Sequence, residues 1–248
     1  FDAGTSASWK NITWSVESPY GEEIGRAPDS NNPLAGLVNT TGLVVLYHFN
    51  NESAFGENGS VARDFNVYAN SGIDNSFNHN LTPQNGAIIN KSFWKFGGGA
   101  ANFDGVDDTF NASNDKGIDF DIDDNFTLSA WIFGLDDNTF HYIISKQENV
   151  GNSRGYLIYI DQAAENLSIS LRSAAGNRLL IHGETDLLDG NWHHVTATYN
   201  GTPDPSSIAL YVDGVQEQTT VEDNTLTGTI SNTVPLHIGS RAQAANPF

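Results

Sequence analysis

The sequence predicts an all-β protein: a sandwich or jelly roll of two antiparallel sheets. Apolar and polar residues alternate with a period of two in several short segments, and turn signals separate these segments at regular spacing. No segment shows a sustained apolar period of about 3.6 residues with helix caps. The 248 residues are enough for one large domain of this class.

The clearest strands lie in the middle of the chain. Between Phe126 and Ile132 every second residue is apolar, and the opposite phase holds Thr127, Ser129, Trp131 and Phe133. The same alternation runs through residues 167–172. Further strands are expected at Phe140–Lys146, Arg154–Asp161, Arg178–His182, Trp192–Tyr199, Ile208–Val212 and Pro235–Ile238. Turns are expected where Gly follows Asp or Asn: Asp104-Gly105, Asp189-Gly190, Asn200-Gly201 and Asp213-Gly214.

The first part of the chain differs from the rest. Residues 1–42 contain a short strand-like stretch, Trp9–Trp14, and then a run rich in Pro, Gly, Asn and Ser, which indicates a lead-in or linker. The domain is expected to span residues 43–248 and to begin with a buried strand at Leu43–Phe49.

Composition and charge exclude several classes of function. With 11 Lys and Arg against 30 Asp and Glu, the net charge is −19, which argues against nucleic acid and anionic membranes as partners. The absence of Cys rules out disulfide scaffolds, thiolate zinc sites and cysteine nucleophiles. No apolar run approaches the roughly 18 residues that a membrane-spanning helix needs.

A series of short motifs occurs in a fixed order between residues 43 and 240. Phe103–Asp108 reads FDGVDD, Phe126–Ile132 reads FTLSAWI, Ile143–Lys146 reads IISK, Trp192–Val195 reads WHHV, Thr198–Gly201 reads TYNG, Tyr211–Val215 reads YVDGV and Ile238–Ser240 reads IGS. This series resembles that of LamG-like (laminin G-like) jelly-roll domains in the concanavalin A-like lectin/glucanase superfamily. The resemblance implies two curved antiparallel sheets packed face to face. It also implies a non-catalytic module of extracellular proteins that binds glycans or other surface ligands.

The chain departs from the family pattern at its end. Members of the family continue past the IGS motif with a strand of the type IDEVRIY, whereas this sequence stops at Phe248. We expect that strand to be absent or to belong to sequence beyond this segment. The stretch 9–25 resembles those that precede such domains in large prokaryotic, notably archaeal, surface proteins. We therefore expect the chain to be part of a larger protein at the cell surface.

No catalytic residues are predicted. Glucanases of this superfamily use a Glu-x-Asp-x-x-Glu strand that places carboxylates on one sheet face, and no such spacing occurs here. His193 and His194 are adjacent in a strand, so their side chains point to opposite faces and do not bind one metal ion together. We expect them to have a structural role.

Two stretches of the sequence resemble calcium-binding loops, and only the second is retained as a candidate site. Asp119-x-Asp121-x-Asp123 begins like a calcium-binding loop but lacks the later Gly and Glu ligands of an EF-hand, so we interpret it as a loop that enters the next strand. The loop 64–72 resembles the family's DxSGNG loop, which often lies at a structural calcium ion. Candidate Ca²⁺ ligands are Asp64 and Asn70, with Asp104 and Asp107 as additions. Whether calcium binds stays open at this point.

A glycan site is expected on the middle strands, because aromatic faces suit the C–H surfaces of sugars and polar side chains bind hydroxyl groups. The candidates are Tyr142, Arg154, Tyr156, Tyr159 and His182. The alternative, that these tyrosines pack between the sheets, is not decided by the sequence.

Asn-x-Ser/Thr sequons indicate an exported glycoprotein, with the alternative that the Asn- and Thr-rich composition of a β-protein inflates their number. Ten occur, about twice the number expected by chance from the composition. They are Asn11, Asn39, Asn51, Asn58, Asn80, Asn90, Asn111, Asn125, Asn166 and Asn200. The favoured hypothesis is an extracellular binding or adhesion module whose partners are glycans or surface glycoproteins. The alternative is a structural subunit of an extracellular filament or surface layer, in which a neighbouring copy supplies the missing strand.

Overall fold

The computed structural model describes residues 44, 45, 47, 49, 80–95, 98–112, 116–149, 153–174 and 177–241. Short 3₁₀ helices occur in this part of the chain at Lys116–Ile118 and Pro205–Ser207. Its strands are β1 Thr82–Gln84, β2 Ile88–Asn90, β3 Ala100–Asn102, β4 Thr109–Ala112, β5 Asn125–Leu135, β6 His141–Gln147, β7 Gly155–Ile160, β8 Leu167–Ala174, β9 Asn177–His182, β10 Asp189–Asn200, β11 Ile208–Val212, β12 Val215–Gln216, β13 Thr220–Asn224 and β14 Leu236–Ile238.

The strands form two main antiparallel sheets. The larger has the order β1-β4-β14-β6-β7-β8-β9-β13, and the smaller has the order β12-β11-β10-β5. Strands β2 and β3 pair separately as a two-stranded ribbon. The predicted all-β jelly-roll sandwich is confirmed.

The core lies between the two main sheets. Ile158 of β7 and Ile169 of β8 are fully buried, and they belong to one cluster with Val195 of β10 and Leu210 of β11. Burial of each such aliphatic side chain contributes about 1.5–3 kcal/mol to stability. Because side chains alternate along a strand, the neighbours of these residues point away from the core. Each main sheet therefore has an outer face on which ligand-binding side chains could lie.

The predicted strands of the middle and end of the domain agree closely with the structure. Ile208–Val212 has the predicted bounds, and the ends of the other strands differ from the prediction by at most three residues. The run Leu43–Phe49 is an exception, since none of its described residues lies in a strand. Val44, Val45, Tyr47 and Phe49 instead pack against a second apolar cluster that contains Phe110 and Leu236. The proposed boundary at residue 42 and the Trp9–Trp14 strand lie outside the described residues.

Two Asp-Gly pairs behave differently. Asp213 and Gly214 have φ angles of 51° and 80° and form the predicted tight turn between β11 and β12. Asp189-Gly190 was predicted as a turn but lies within β10, so this prediction is wrong. The pairing with β5 shifts register between Asp189 and Trp192, which indicates that the glycine forms an irregularity in a continuous strand.

Candidate functional site

Tyr156 lies in the core and is therefore not available to a ligand, in contrast to the prediction. It is only 2% exposed, and its hydroxyl donates a hydrogen bond of 2.7 Å to the carbonyl of Ile118. Its ring packs 5.2 Å from that of Phe126, centroid to centroid. Burial raises the pKa of the hydroxyl far above its ordinary value. The alternation of β7 directs Tyr156 inward together with Ile158.

Tyr142, Tyr159 and His182 lie in one row across the outer face of the eight-stranded sheet. Tyr142 pairs with Tyr159, which pairs with Ser168, which pairs with His182. The two tyrosine rings lie 5.9 Å apart. Tyr159 is buried, and Tyr142 and His182 are partly exposed. Three of the five predicted ligand residues therefore share a face, on which Tyr159 is closed to solvent and Tyr142 and His182 are partly accessible.

Arg154 lies outside this row and is already engaged. Its Nη2 donates to Oε1 of Glu148 at 3.0 Å, and its Nε lies 3.5 Å from Oε2. The hydrogen bond and the charge of Glu148 raise the pKa of the guanidinium. The guanidinium of Arg154 therefore forms an ion pair with Glu148 in the absence of a ligand.

Three carboxylates meet in the turn between β3 and β4. One oxygen from each of Asp104, Asp107 and Asp108 lies within 4.8 Å of the others. The backbone N–H of Asp104 donates to Oδ2 of Asp108 at 3.0 Å, whereas Oδ1 of Asp108 is buried and has no hydrogen-bond partner. Burial, and next to it the charges of Asp104 and Asp107, raise the pKa of Asp108 although the N–H of Asp104 opposes this. We refer to these residues as the acidic turn.

The acidic turn corresponds only in part to the predicted calcium ligands. Asp104 and Asp107 come together as expected, and Asp108, which the prediction did not include, lies with them. Asp64 and Asn70 lie outside the described residues, so their part in the site stays a prediction. Carboxylate oxygens at this spacing suit a hard divalent cation such as Ca²⁺.

The carboxylates of the loop that begins at Asp119 accept hydrogen bonds from several neighbouring segments. Asp119 accepts hydrogen bonds from Nζ of Lys146 and from the backbone N–H of Asn232. Asp121 accepts from the hydroxyl of Thr229 at 2.8 Å and from the backbone N–H of Ile230 at 2.9 Å. These carboxylates bind neighbouring loops, as expected for a structural acidic loop that leads into β5.

His193 and His194 point to opposite faces of the four-stranded sheet and both have protein partners. The Nδ1 of His193 lies 2.8 Å from Oδ2 of Asp213, and its Nε2 lies 3.1 Å from Oδ1 of Asp189. The Nε2 of His194 lies 2.9 Å from the hydroxyl of Ser129. This arrangement agrees with the predicted structural role.

Aromatic side chains gather on the outer face of the four-stranded sheet. Phe133 of β5 pairs with Trp192 of β10, and the ring of Phe93 stacks on Trp192 at 5.5 Å and meets Phe133 edge-on at 4.7 Å. Trp131 is 42% exposed, and Phe93 and Trp94 are 47% and 42% exposed. We refer to Phe93, Trp131, Phe133 and Trp192 as the aromatic platform; Trp94 follows Phe93 directly in the chain.

Polar and cationic groups border the aromatic platform. The ammonium of Lys95 lies 4.7 Å from the centre of the Trp131 ring, a cation–π contact. The imidazole ring of His194 lies 5.2 Å from the Trp131 ring, centroid to centroid. The next cross-strand pair along the sheet is Ser129 with Thr196, whose hydroxyl oxygens lie 3.0 Å apart. The surface thus combines exposed ring faces with hydrogen-bonding groups.

The family model of the concanavalin A-like lectin/glucanase superfamily that represents laminin G-like domains matches residues 98–248. The chain belongs to this superfamily. Laminin G-like domains are generally non-catalytic binding modules, occur mostly in extracellular proteins and often bind Ca²⁺.

Comparison with solved structures gives a distant match. The native heptameric SAP-like pentraxin from Limulus polyphemus is 16% identical in sequence, with a TM-score of 0.38. The match covers 57% of this chain and 61% of the pentraxin chain. No match to a curated protein sequence was found. No helix in the described part of the chain has the length and apolar character needed to cross a membrane.

The aromatic platform of this laminin G-like domain was not among the predicted sites, although its sequence signal was present. In β5 the apolar phase from Phe126 to Ile132 faces the core, so Trp131 and Phe133 share the outward phase with Thr127 and Ser129. Large aromatic residues in the polar phase of an alternating strand indicate a binding surface. The contribution of Phe93 depends on a distant loop and could not be predicted in this way.

Six of the ten sequons lie in the described part of the domain. Asn125 and Asn200 are exposed and pair across β5 and β10, whereas Asn80, Asn90 and Asn111 are partly exposed. Asn166 is buried, and its amide nitrogen donates to the carbonyl of Gly183 at 2.7 Å, so the folded domain does not offer it for glycan attachment. Asn11, Asn39, Asn51 and Asn58 lie outside the described residues.

Proposed function

We propose that this chain is a non-catalytic extracellular binding module that binds glycans through the aromatic platform. The observation that carries this proposal is the exposure of Phe93 and Trp131, at 47% and 42%, beside the packed pair Phe133 and Trp192. The family membership supports a binding module, and the platform supplies a surface with sugar-compatible chemistry.

The platform suits sugars because of the way its rings are held. Phe93 has one face against Trp192, so its orientation is fixed before a ligand arrives. A ring that is already ordered loses little conformational entropy on binding. The apolar C–H face of a pyranose would remove these exposed rings from water, and hydroxyl groups of the sugar would reach Ser129 and Thr196.

A Ca²⁺ ion at the acidic turn is the second part of the proposal. Asp104, Asp107 and Asp108 would supply carboxylate ligands, and backbone carbonyls or water would complete the six to eight oxygens that Ca²⁺ takes. The buried, unpartnered Oδ1 of Asp108 supports this assignment because a desolvated carboxylate oxygen is costly without a cation or donor. The ion would neutralise three neighbouring charges and stabilise the turn.

Localisation and partners follow from the same proposal. An exported module of a larger surface protein agrees with the family and with exposed sequons such as Asn125 and Asn200. The net charge of −19 keeps the domain soluble and disfavours polyanionic nucleic acid. We propose surface glycans as the partners, with other copies of the chain as the alternative occupant of the platform.

The test is a glycan array followed by calorimetric titration of the best ligand into the full chain. Trp131→Ala should weaken binding about ten- to a hundredfold, as expected when a stacking ring is lost, and should leave the circular dichroism unchanged because Trp131 is at the surface. Val215→Ala is the matched control: Val215 is 68% exposed and lies away from the platform on β12. A lack of response to every glycan, or equal affinity in Trp131→Ala and wild type, would contradict the proposal. Concentration-dependent dimerisation that Trp131→Ala abolishes would assign the platform to another copy of the chain.

A further inference from the structure

Among the described residues of this acidic protein, Arg172 of β8 has no ion-pair partner. Its Nε is buried and forms no hydrogen bond, and none of the ion pairs in the described part of the chain includes it. Leu171 and Ser173 flank it in the strand, and Leu171 belongs to the core, so Arg172 lies on the outer face of the eight-stranded sheet. Arg172 is only partly buried, and its side chain is therefore accessible from that face.

Gln147 of β6 and Arg172 are separated on this face by one residue without a side chain. Gln147 pairs with Gly155, and Gly155 pairs with Arg172, so the two long side chains flank the glycine. Gln147 is 2% exposed, and its Nε2 is buried and unpartnered. A buried amide nitrogen without an acceptor costs free energy of folding. The Nε2 of Gln147 is therefore a hydrogen-bond donor that an acceptor group of a ligand would satisfy.

Arg241 brings a third unpartnered donor to the same place. Its Nη2 donates to the backbone carbonyl of Glu148, which follows Gln147, at 2.9 Å, while its Nε is buried without a partner. Burial lowers the pKa of Arg172, and the positive charges of Arg178 and Arg241 act in the same direction. An amide can offer oxygen after a flip, but guanidinium nitrogens only donate.

The nearby acidic residues in the described part of the chain have other partners. Glu148 pairs with Arg154 at 3.0 Å. Asp223 and Glu222 both bind Arg178, at 2.9 and 3.0 Å. Asp223 also attracts Arg172 electrostatically but forms no hydrogen bond with it. Positive charge therefore remains at Arg172 and Arg241, within a chain whose net charge is −19.

We propose that Arg172, Arg241 and Gln147 form a binding site for an oxyanion, which is the carboxylate, sulfate or phosphate group of a ligand. Guanidinium groups bind such anions through paired N–H donors, and the amide of Gln147 adds a neutral donor. This site lies on the outer face of the eight-stranded sheet, whereas the aromatic platform lies on the outer face of the opposite sheet. It therefore goes beyond the proposed function and does not depend on it.

The test uses the full chain in sodium chloride buffer, with sodium sulfate, phosphate or acetate added at matched ionic strength. We expect a saturable rise in melting temperature and calorimetric binding for the wild type, because a ligand that binds only the folded state stabilises it. Arg172→Gln and Arg241→Gln should each weaken the anion affinity about ten- to a hundredfold. Acetate separates a carboxylate site from a site for tetrahedral anions, which sulfate and phosphate report.

The matched control is Lys91→Gln, which removes the same charge from an exposed lysine elsewhere. It should retain the anion affinity of the wild type. If Arg172→Gln fails to fold, the arginine Nε–Hε signals in the NMR spectrum of the wild type should shift saturably with sulfate. No saturable effect of any of the three anions, or affinity unchanged in folded Arg172→Gln, would overturn the proposal. Loss of glycan binding in Trp131→Ala would not affect this result.

Discussion

The ammonium of Lys146 lies 3.2 Å from Oδ1 of Asp119, although the side chain of Lys146 is completely buried. The same ammonium donates to the backbone carbonyl of Asn232 at 2.9 Å. Burial lowers the pKa of Lys146, and Asp119 opposes this shift. This lysine belongs to the motif Ile143–Lys146, and it joins β6 to the loops that carry Asp119 and Asn232 at one end of the sandwich.

Removing Asp119 should therefore destabilise the domain strongly. Asp119→Ala leaves the charge of Lys146 buried with only neutral acceptors, and we expect a loss of about 3 kcal/mol in the free energy of unfolding. Urea denaturation followed by tryptophan fluorescence measures this difference. Lys146→Met is the informative comparison, because it removes the buried charge and should cost less than Asp119→Ala. An equal or larger loss in Lys146→Met would contradict this account of the pair.

His193 should titrate above the ordinary histidine pKa. Burial alone would lower the pKa of His193, but the hydrogen bonds to Asp213 and Asp189 raise it. The stabilisation from this contact is fully present below the unfolded pKa of about 6.5 and is lost as the pH rises through the higher folded value. Side-chain NMR titration measures this pKa, and His193→Gln identifies the signal. Asp213→Asn should lower the pKa of His193, and an unchanged value in this variant would rule out the contact as its cause.

Gly155 should not tolerate a side chain. Its φ is +131°, a conformation that L-residues rarely adopt, and a Cβ at this position would overlap the backbone carbonyl of Lys146. We expect Gly155→Ala to lower the free energy of unfolding by more than about 2 kcal/mol. The matched control is Gly105→Ala, where φ is +77° but no atom lies within 4 Å of the added Cβ. Chemical denaturation should show a cost of about 1 kcal/mol for this control, and equal costs in the two variants would show that the overlap does not matter.

The fold was predictable where one of the two alternating sets of residues in a strand is apolar and the other is polar. In β5 the alternation separates Leu128, which is buried, from Ser129, which is not. The sequence pattern therefore predicted both the strand and the face that it turns toward the core. In β7 both phases are apolar, so the sequence could not assign Tyr156 to the core and Tyr159 to the outer face. A period of two distinguishes faces only where one phase is polar.

The binding surfaces were less predictable because they depend on register between distant segments. The oxyanion site needs Gln147, Gly155 and Arg172 in one row and Arg241 beside it. No local pattern places residue 241 next to residue 147. The acidic turn, by contrast, is local to Asp104–Asp108, and its motif could be identified from the sequence.

Calcium should stabilise the domain through the acidic turn. We expect the melting temperature to rise with CaCl₂, to rise less with MgCl₂ at equal concentration, and to return to its initial value with EDTA. Asp107→Asn should reduce the effect, because it removes one carboxylate ligand. Differential scanning fluorimetry of the full chain measures each step.

Asp108→Asn gives the sharpest form of this prediction, because its effect should change sign with the metal. Without Ca²⁺ the substitution removes a desolvated charge whose pKa is raised by burial and by Asp104 and Asp107, so the variant should be as stable as the wild type or more stable. Ca²⁺ should stabilise Asp108→Asn less than it stabilises the wild type, so in the presence of Ca²⁺ the variant should be the less stable of the two proteins. Asp186→Asn, at an exposed carboxylate outside the acidic turn, controls for the change in net charge. If Ca²⁺ stabilises Asp108→Asn as much as the wild type, the ion binds elsewhere, since the carboxylate of Asp108 is the buried member of the cluster.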